Sequence, residues 1–436
     1  MFYQLQSPIE IILLLIGSAI FAVIAYRRPV WGVALILFLA PIYLFKIKIG
    51  WLPLNALEIL IGALAIVWAA KSISGLKITK DRLILLAKSF YFWPILLILI
   101  GVALSVIFST DLKIGAGIFK SYFLAPLIFA VILFNIIKNK EQLAKIVWTL
   151  VLSGATAAVV GLIYRLAGQL TFDDRLAAFY SSPNQLAMFL APGFILAVSL
   201  WFFTQKKQQK WLLAISYLLY ALCLYFTCSY AAWLAISGAV IFLVVFFWRE
   251  GLINNKKLLI ILCSLAAIFI VFLILQRPSQ KMADLLSFER SSIQSRLMVW
   301  SAAREILKDN WLLGIGPGMF QEQYLVYQNH FNVSYLEWAV PQPHNLWLAW
   351  WLQAGIIGLI GFIWLTVNFL RRLFYSLAIK QPLALALMAV IAYILLHGLA
   401  DTTFWRNDLA LVFWSIIALG NKAGRLFYSQ KISNPL

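Results

Sequence analysis

Short charged runs cut this chain into a series of apolar stretches, each about as long as a bilayer is thick. A spanning helix needs roughly 20 consecutive apolar residues, and windows of that size fall near 9–26, 29–45, 51–70, 89–109, 117–138, 143–164, 184–204, 211–228, 230–248, 258–276, 345–369, 382–400 and 405–420. The apolar run 211–248 is twice the length of one span, so a break is placed at Thr227-Cys228-Ser229-Tyr230, where small polar residues allow a tight turn. With 63% hydrophobic and only 12% charged residues, the chain departs far from a soluble domain. The expected fold is an all-α polytopic membrane helix bundle of 12 or 13 spans.

The formal charge of +19 invites a nucleic-acid reading only until the cations are sorted by connection. Taking alternate loops together, one set holds 22 of the 35 Lys and Arg with three acids, and the opposite set holds 13 cations and 13 acids. Lys and Arg resist translocation, so the rich face is cytoplasmic, with the N-terminus outside and the C-terminus inside. The charge is topogenic, and an added affinity for anionic headgroups is compatible with it. No nucleic-acid partner is implied. The opening Met1-Phe2-Tyr3-Gln4-Leu5-Gln6 carries no basic residue, so the first stretch reads as an uncleaved span. Cys223, Cys228 and Cys263 fall in or at apolar windows and suggest neither a disulfide frame nor a thiolate metal site.

One connection is much longer than the rest: residues 277–343, 67 residues on the outer side, with six cations and six acids. Three regions follow: membrane helices over 1–276, an external subdomain over 277–343, and membrane helices with a cytoplasmic tail over 344–436. Loops of this length usually carry function. Its middle, from Ser295 to Asn310, has Leu297, Trp300, Ala303 and Leu307 at helical spacing, which predicts an amphipathic helix on the membrane or on the bundle. Gly314-Ile315-Gly316-Pro317-Gly318 reads as a turn, since no strand precedes it and no Gly-Lys-Ser/Thr follows. Pro341-Gln342-Pro343 then delivers His344 and a helix-capping Asn345 to the mouth of a span.

All three histidines, His330, His344 and His397, lie on the outer side. His397 and Asp401 stand at i, i+4 and are expected to share a helix face, where they either glue helices together or serve the chemistry. Glu58, toward the outer half of a span, is either functional or simply placed where it can reach the interface. The adjacent Asp173 and Asp174 are solvated or paired with Arg175, and no spaced carboxylate set marks a Mg²⁺ or Mn²⁺ site.

Several segments, taken in order, resemble one family. They are Ser182-Pro183-Asn184-Gln185-Leu186-Ala187, Thr227-Cys228-Ser229-Tyr230, Arg296-x-x-x-Trp300, Asn310-Trp311-Leu312-Leu313-Gly314-Ile315-Gly316-Pro317-Gly318-Met319-Phe320, Pro343-His344-Asn345 followed by Gly355-Ile356-Ile357-Gly358-Leu359, and His397-Gly398-Leu399-Ala400-Asp401. Together they are similar to the O-antigen ligase and polymerase superfamily over about half the chain.

The resemblance implies a GT-C-like glycosyltransferase of the cytoplasmic membrane. Its donor is a glycan on undecaprenyl or another polyprenyl diphosphate at the outer leaflet. Its acceptor is a hydroxyl, on lipid A core in ligases or on another lipid-linked glycan in polymerases. It also implies that an arginine and a histidine of the external loop are needed for activity, which map onto Arg296 and His344. The family usually has an arginine in the turn where this chain has Tyr230, and Arg175 and Arg290 are candidates to substitute for it.

The chemistry suits these residue types. A departing diphosphate needs fixed positive charge, and guanidinium forks match its oxygens without losing a proton. The acceptor hydroxyl must shed a proton, for which a histidine is suited. The expected site is catalytic His344 and Arg296, with Arg175, Arg290, Asn184, Tyr230, Asn345, Asp401 and His397 on the substrate, and no metal or other cofactor. A lipid-linked-glycan transporter is the competing class, although no matching halves of the kind transporters show are evident.

Overall fold

The computed structural model describes residues 3–5, 7–49, 52–72, 90–277, 282–283, 292–328, 339–376 and 381–433. Arg290 and His330 lie outside them. Among the described residues, nine helices are long and apolar enough to cross a membrane, and three shorter apolar helices accompany them. The protein is a multi-pass membrane bundle.

The expected spans are met closely from Lys140 onward. They are α7 (Lys140–Leu166), α8 (Pro183–Phe203), α9 (Lys207–Thr227), α10 (Tyr230–Arg249), α11 (Asn255–Gln276), α14 (Leu346–Ser376) and α15 (Pro382–His397). The break at 227–230 falls where expected, with Cys228 left-handed at φ 46° between α9 and α10. The weakest window, 405–420, opens a 27-residue helix, α16 (Asn407–Ser433). A π-helical turn at Phe119–Leu124 joins α5 (Leu112–Ile118) to α6 (Ala125–Ile136) in one candidate span.

The first quarter of the chain departs from expectation. After α1 (Pro8–Arg27), window 29–45 holds only a ten-residue helix, α2 (Pro29–Phe38), before a 3₁₀ segment at Ala40–Leu44. Strands β2 (Phe45–Ile49) and β3 (Leu52–Asn55) then form an antiparallel hairpin, and β1 (Tyr3–Gln4) joins β2 in parallel. Pro41 and the alternation of Phe45-Lys46-Ile47-Lys48-Ile49 account for the change: proline stops the helix, and period-2 patterning favours a strand. Window 51–70 accordingly begins as strand and becomes α3 only at Ala56 (Ala56–Ser72).

Small residues let the helices approach. The best-matched pair is α4 (Phe92–Ile107) on α14, where a Cβ on Gly101 would stand 2.3 Å from the Gly358 nitrogen. Packing of this kind drives helix association where lipid offers no hydrophobic advantage.

Residues 292–328 and 339–343 form a small subdomain at one end of the bundle, in the segment expected to be external. Helix α12 (Ser292–Asp309) and α13 (Phe320–Tyr327) enclose a small core of Val299, Ala302, Ala303, Ile306, Phe320 and Tyr324 against Leu352 of α14. An amphipathic α12 is thus present, but its phase differs from the expected stripe. Ala303 and Leu307 are buried, whereas Leu297 is exposed, because the core selects the face through Val299 and Ile306.

Candidate functional site

A chain of polar contacts crosses the mouth of the bundle, starting at Arg175 in the loop before α8. Its Nε donates to the Thr227 carbonyl at 2.8 Å, its NH1 faces Asp173 Oδ2 at 3.4 Å, and its NH2 donates to Asn184 Oδ1 at 3.0 Å. Asn184 sits in the first turn of α8, behind the Ser182 N-cap and Pro183, a pairing that starts a helix firmly. Its Nδ2 donates to Asp401 Oδ2 at 3.0 Å. The other carboxylate oxygen, Oδ1, accepts from the Thr402 amide at 2.8 Å and meets His344 Nδ1 at 3.2 Å. Three segments far apart in sequence converge on one buried carboxylate.

The subdomain of residues 292–343 closes on this chain. Trp300 Nε1 donates to the His344 carbonyl at 3.3 Å, so α12 is tied to the histidine by its backbone. Arg296, one turn earlier on α12, is half-buried and near enough for its charge to act on Asp401. The register depends on a kink in α14, where Gly355 has φ 65°. There the Trp311–Gly314 turn inserts: Ile315 N donates to Leu352 O at 2.6 Å and Ile356 N to Leu312 O at 3.1 Å. A Cβ on Gly355 would lie 2.6 Å from Leu312 O, so only glycine fits. Gly358 makes the close helix contact with Gly101, whereas Gly355 serves this docking. Asn345 caps α14, its Oδ1 accepting from Trp347 and Leu348 and its Nδ2 donating to Leu399 O at 3.1 Å.

Burial pushes the Asp401 carboxyl up, but the adjoining His344 ring, with His397 and Arg296, prevails and holds it well below the usual carboxylate range. Asp401 is therefore an acceptor only, so His344 Nδ1 is the donor and Nε2 is left as the basic nitrogen. The His344 side chain is 34% exposed against 4% for Asp401, which leaves the ring reachable and its anchor sealed. Burial lowers the Arg175 pKa, with Asp173 opposing, and the guanidinium stays charged because its ordinary value is so high. Backbone strain concentrates here as well. Among the described residues, the non-glycine residues at positive φ are Asp174, Ala178, Cys228 and His344, all in segments that carry or adjoin the polar chain. Such conformations cost about 1–3 kcal/mol each and gather at functional sites.

Most of the expected site residues are brought together: His344, Asp401, Asn184 and Arg175 by direct contact, and Arg296 through its field. Tyr230 lies close enough to Arg175 for its hydroxyl to bear on the guanidinium. Asn345 acts at one remove, as a cap. His397 departs from expectation. Helix α15 ends at His397; the Asp401 amide still donates to the His397 carbonyl at 2.9 Å, but the carboxylate bonds His344 and Asn184, and His397 Nδ1 meets the Tyr393 hydroxyl at 2.7 Å. Asp173 pairs with Arg175, as one of its two readings held. Among the described residues, no group of three or more His, Cys, Asp or Glu side chains is placed to hold a metal ion.

A second polar cluster went unforeseen. Arg406 and Asp408 form a buried two-pronged pair, 2.6 Å at Nε–Oδ1 and 2.9 Å at NH2–Oδ2. Tyr180 OH donates to Asp408 at 2.7 Å, and the guanidinium lies 4.3 Å over the Tyr180 ring. Arg406 NH2 also donates to Gln185 O, beside Asn184, so the pair clamps the start of α8 to the start of α16. Burial opposes the Arg406 charge, but Asp408 raises its pKa further still. Two opposite charges at the head of an apolar window were the available signal.

The O-antigen ligase family model matches residues 215–363, about a third of the chain. The match includes Tyr230, Arg296, His344 and the glycine turn, while Arg175, Asn184 and Asp401 lie outside it. No curated protein matches the chain. Over residues 215–363, then, this multi-pass membrane protein is similar to the O-antigen ligase family, the superfamily that its ordered motifs resemble.

Proposed function

We propose that the protein is a metal-independent glycosyltransferase that moves a glycan from a polyprenyl diphosphate, undecaprenyl in kind, to an acceptor hydroxyl at the outer face of the cytoplasmic membrane. The observation that carries this reading is the Asp401–His344 pair beneath Arg296, at 3.2 Å and with Asp401 sealed from solvent. Asp401 holds the ring so that Nε2 faces the acceptor, and Nε2 takes the hydroxyl proton as the oxygen attacks the anomeric carbon. The bond from that carbon to the diphosphate oxygen breaks, and the electron pair leaves with the diphosphate. With no covalent intermediate, the anomeric centre inverts. Arg296 and the remaining N–H groups of Arg175 oppose the charge that develops on the leaving group.

A cavity of about 960 Å³ supports a polyisoprenoid donor. Its lining runs from Leu39 and Ile42 along Ala157 and Val160 of α7 to Phe179 and Ser181, just before Asn184. An apolar groove that ends at a polar junction matches a lipid tail with an ionised head. The cation asymmetry of the loops supports an outward-facing site. The acceptor, whether lipid A core as in ligation or another lipid-linked glycan as in polymerisation, shares the same chemistry.

The test is purified protein with lipid-linked glycan and acceptor, scored by release of polyprenyl diphosphate. Release that is lost in both Arg296→Ala and His344→Ala is expected. Movement of intact donor between leaflets without release would make the protein a transporter and end this proposal.

A further inference from the structure

A second cavity, of about 280 Å³, opens at the same end of the bundle as the external subdomain. It is lined by Lys46 of β2, Asn55 and Glu58 at the start of α3, Lys113 of α5, Ser121 of the π-helical turn, and Asn407 at the start of α16. Its position is set by two neighbours. Ile114 and Ile118 form part of its wall, and the same two side chains are what a Cβ on Gly318 of the glycine turn would strike. Asn407 directly follows Arg406, in the segment that begins at Asp401. The cavity and the Asp401–His344 pair thus flank one stretch of chain.

The lining is unlike that of the apolar groove. Asn55, Glu58 and Asn407 are each more than nine-tenths buried, an expensive choice near a membrane unless it serves something. Glu58 itself is consumed by structure. It exchanges capping bonds with Asn55, accepts from Ser121 Oγ at 2.5 Å, and pairs with Lys120 Nζ at 3.1 Å. Lys120 in turn donates to the Pro53 carbonyl at 2.6 Å. Glu58 is the third residue of α3, at the N-terminal end of the helix, in a capping box with Asn55. Glu58 and Lys120 neutralise one another, and the other cations of the lining are Lys113 and Lys46. A π-helical turn, the kind of distortion that recurs at functional sites, presents Lys120, Ser121 and Tyr122 to this region. The position of the cations is telling. The topology-neutral set of outer loops holds only 13 Lys and Arg, and three of them, Lys46, Lys113 and Lys120, meet here.

We infer that this cavity is a subsite for one anionic sugar residue of the glycan substrate. Lys113 and Lys46 meet its carboxylate or phosphate, and Asn55, Ser121 and Asn407 meet its hydroxyls. Cations beside several neutral donors and acceptors fit a charged, hydroxyl-rich ring better than a bare ion, and the volume suits a single residue. The inference rests on the glycosyltransferase reading only for its claim that the guest belongs to the substrate.

The test is equilibrium binding to the full chain in nanodiscs, with three probes: a glucuronate-bearing tetrasaccharide, a neutral N-acetylglucosamine tetramer, and glycerol phosphate as a free lipid-type headgroup. The uronate probe is expected to bind at least tenfold more tightly than the neutral one. Lys113→Ala and Lys46→Ala should each weaken it at least fivefold, and Lys113→Arg should keep it within threefold, with helicity by circular dichroism unchanged throughout. Equal binding of charged and neutral probes, or wild-type binding by Lys113→Ala, overturns the inference. So does lysine-dependent binding of glycerol phosphate without binding of the uronate, which would assign the cavity to lipid headgroups. His344→Ala is expected to keep the binding while losing transfer, so the failure of one proposal is separable from the failure of the other.

Discussion

Replacing Asp401 by asparagine separates its charge from its shape. The carboxylate accepts from His344 Nδ1, Asn184 Nδ2 and the Thr402 amide. An amide of the same size keeps one acceptor oxygen, so either His344 or Asn184 must face an NH₂ group. If His344 does, its Nδ1 becomes the acceptor, the proton moves to Nε2, and the base points the wrong way. The negative charge that stabilises the imidazolium as it forms disappears in either orientation. Loss of an orienting carboxylate from a hydrolase triad costs about 10⁴ in kcat, and general-base catalysis as a whole contributes about 10²–10⁴. At about 1.36 kcal/mol per tenfold, this is a barrier increase of about 2.7–5.4 kcal/mol.

Glycan transfer with radiolabelled donor measures the effect, read as kcat with donor and acceptor each saturating. The fall should lie in kcat, with KM for the donor within a few-fold, because Asp401 is sealed from solvent. Asp401→Asn combined with His344→Ala should cost little more than His344→Ala alone, since the carboxylate acts through the ring. An Asp401→Asn enzyme working within threefold of wild type would falsify the assignment. Full additivity of the two substitutions would do the same for the coupling.

Three further outcomes follow from the same geometry. Arg406→Leu, which leaves Asp408 buried without its partner, should destabilise the protein by about 3–5 kcal/mol, and the double variant Arg406→Leu with Asp408→Leu should recover part of it; thermal unfolding in detergent measures both. Gly355→Ala forces a Cβ to within 2.6 Å of Leu312 O at φ 65°, so the Trp311–Gly314 turn should detach and limited proteolysis within 292–343 should accelerate, whereas Gly117→Ala, with open space around it, should leave the digestion pattern unchanged. The folded-state pKa of Asp401 lies below its unfolded value near 3.9, so its contribution to stability is fully present above that value and is lost only as pH falls toward the folded value. Unfolding scans from pH 8 down to 5 should therefore show no Asp401-dependent change, and turnover across that range should survive chelation by EDTA.

Much of the bundle was legible because hydrophobic length is a local property. A run such as 258–276 can only be a span, whatever packs beside it, and the break at Cys228 is written in the small polar residues around it. The ordered motifs likewise marked His344, Asn184 and Asp401 before any contact was known. Other features were not local. The strand at Phe45–Ile49 competed with a helix of similar hydrophobicity and prevailed through Pro41 and pairing with Leu52–Asn55. The face that α12 buries was chosen by Ile315, Phe320 and Leu352, none of them in α12. The i, i+4 spacing of His397 and Asp401 did place the Asp401 amide on the His397 carbonyl, but which side chain each one bonds was set by Tyr393, His344 and Asn184.

Segment length, apolarity and the distribution of Lys and Arg were enough to establish a membrane bundle, because the cost of exposing backbone or charge to hydrocarbon is paid residue by residue. Which carboxylate orients which imidazole was decided only by tertiary structure. That choice depends on where Asn184, His344, Thr402 and Asp401 come to rest once three distant segments are packed against one another, and a hydrogen bond falls off within a fraction of an ångström. No periodicity in the chain encodes a distance that small.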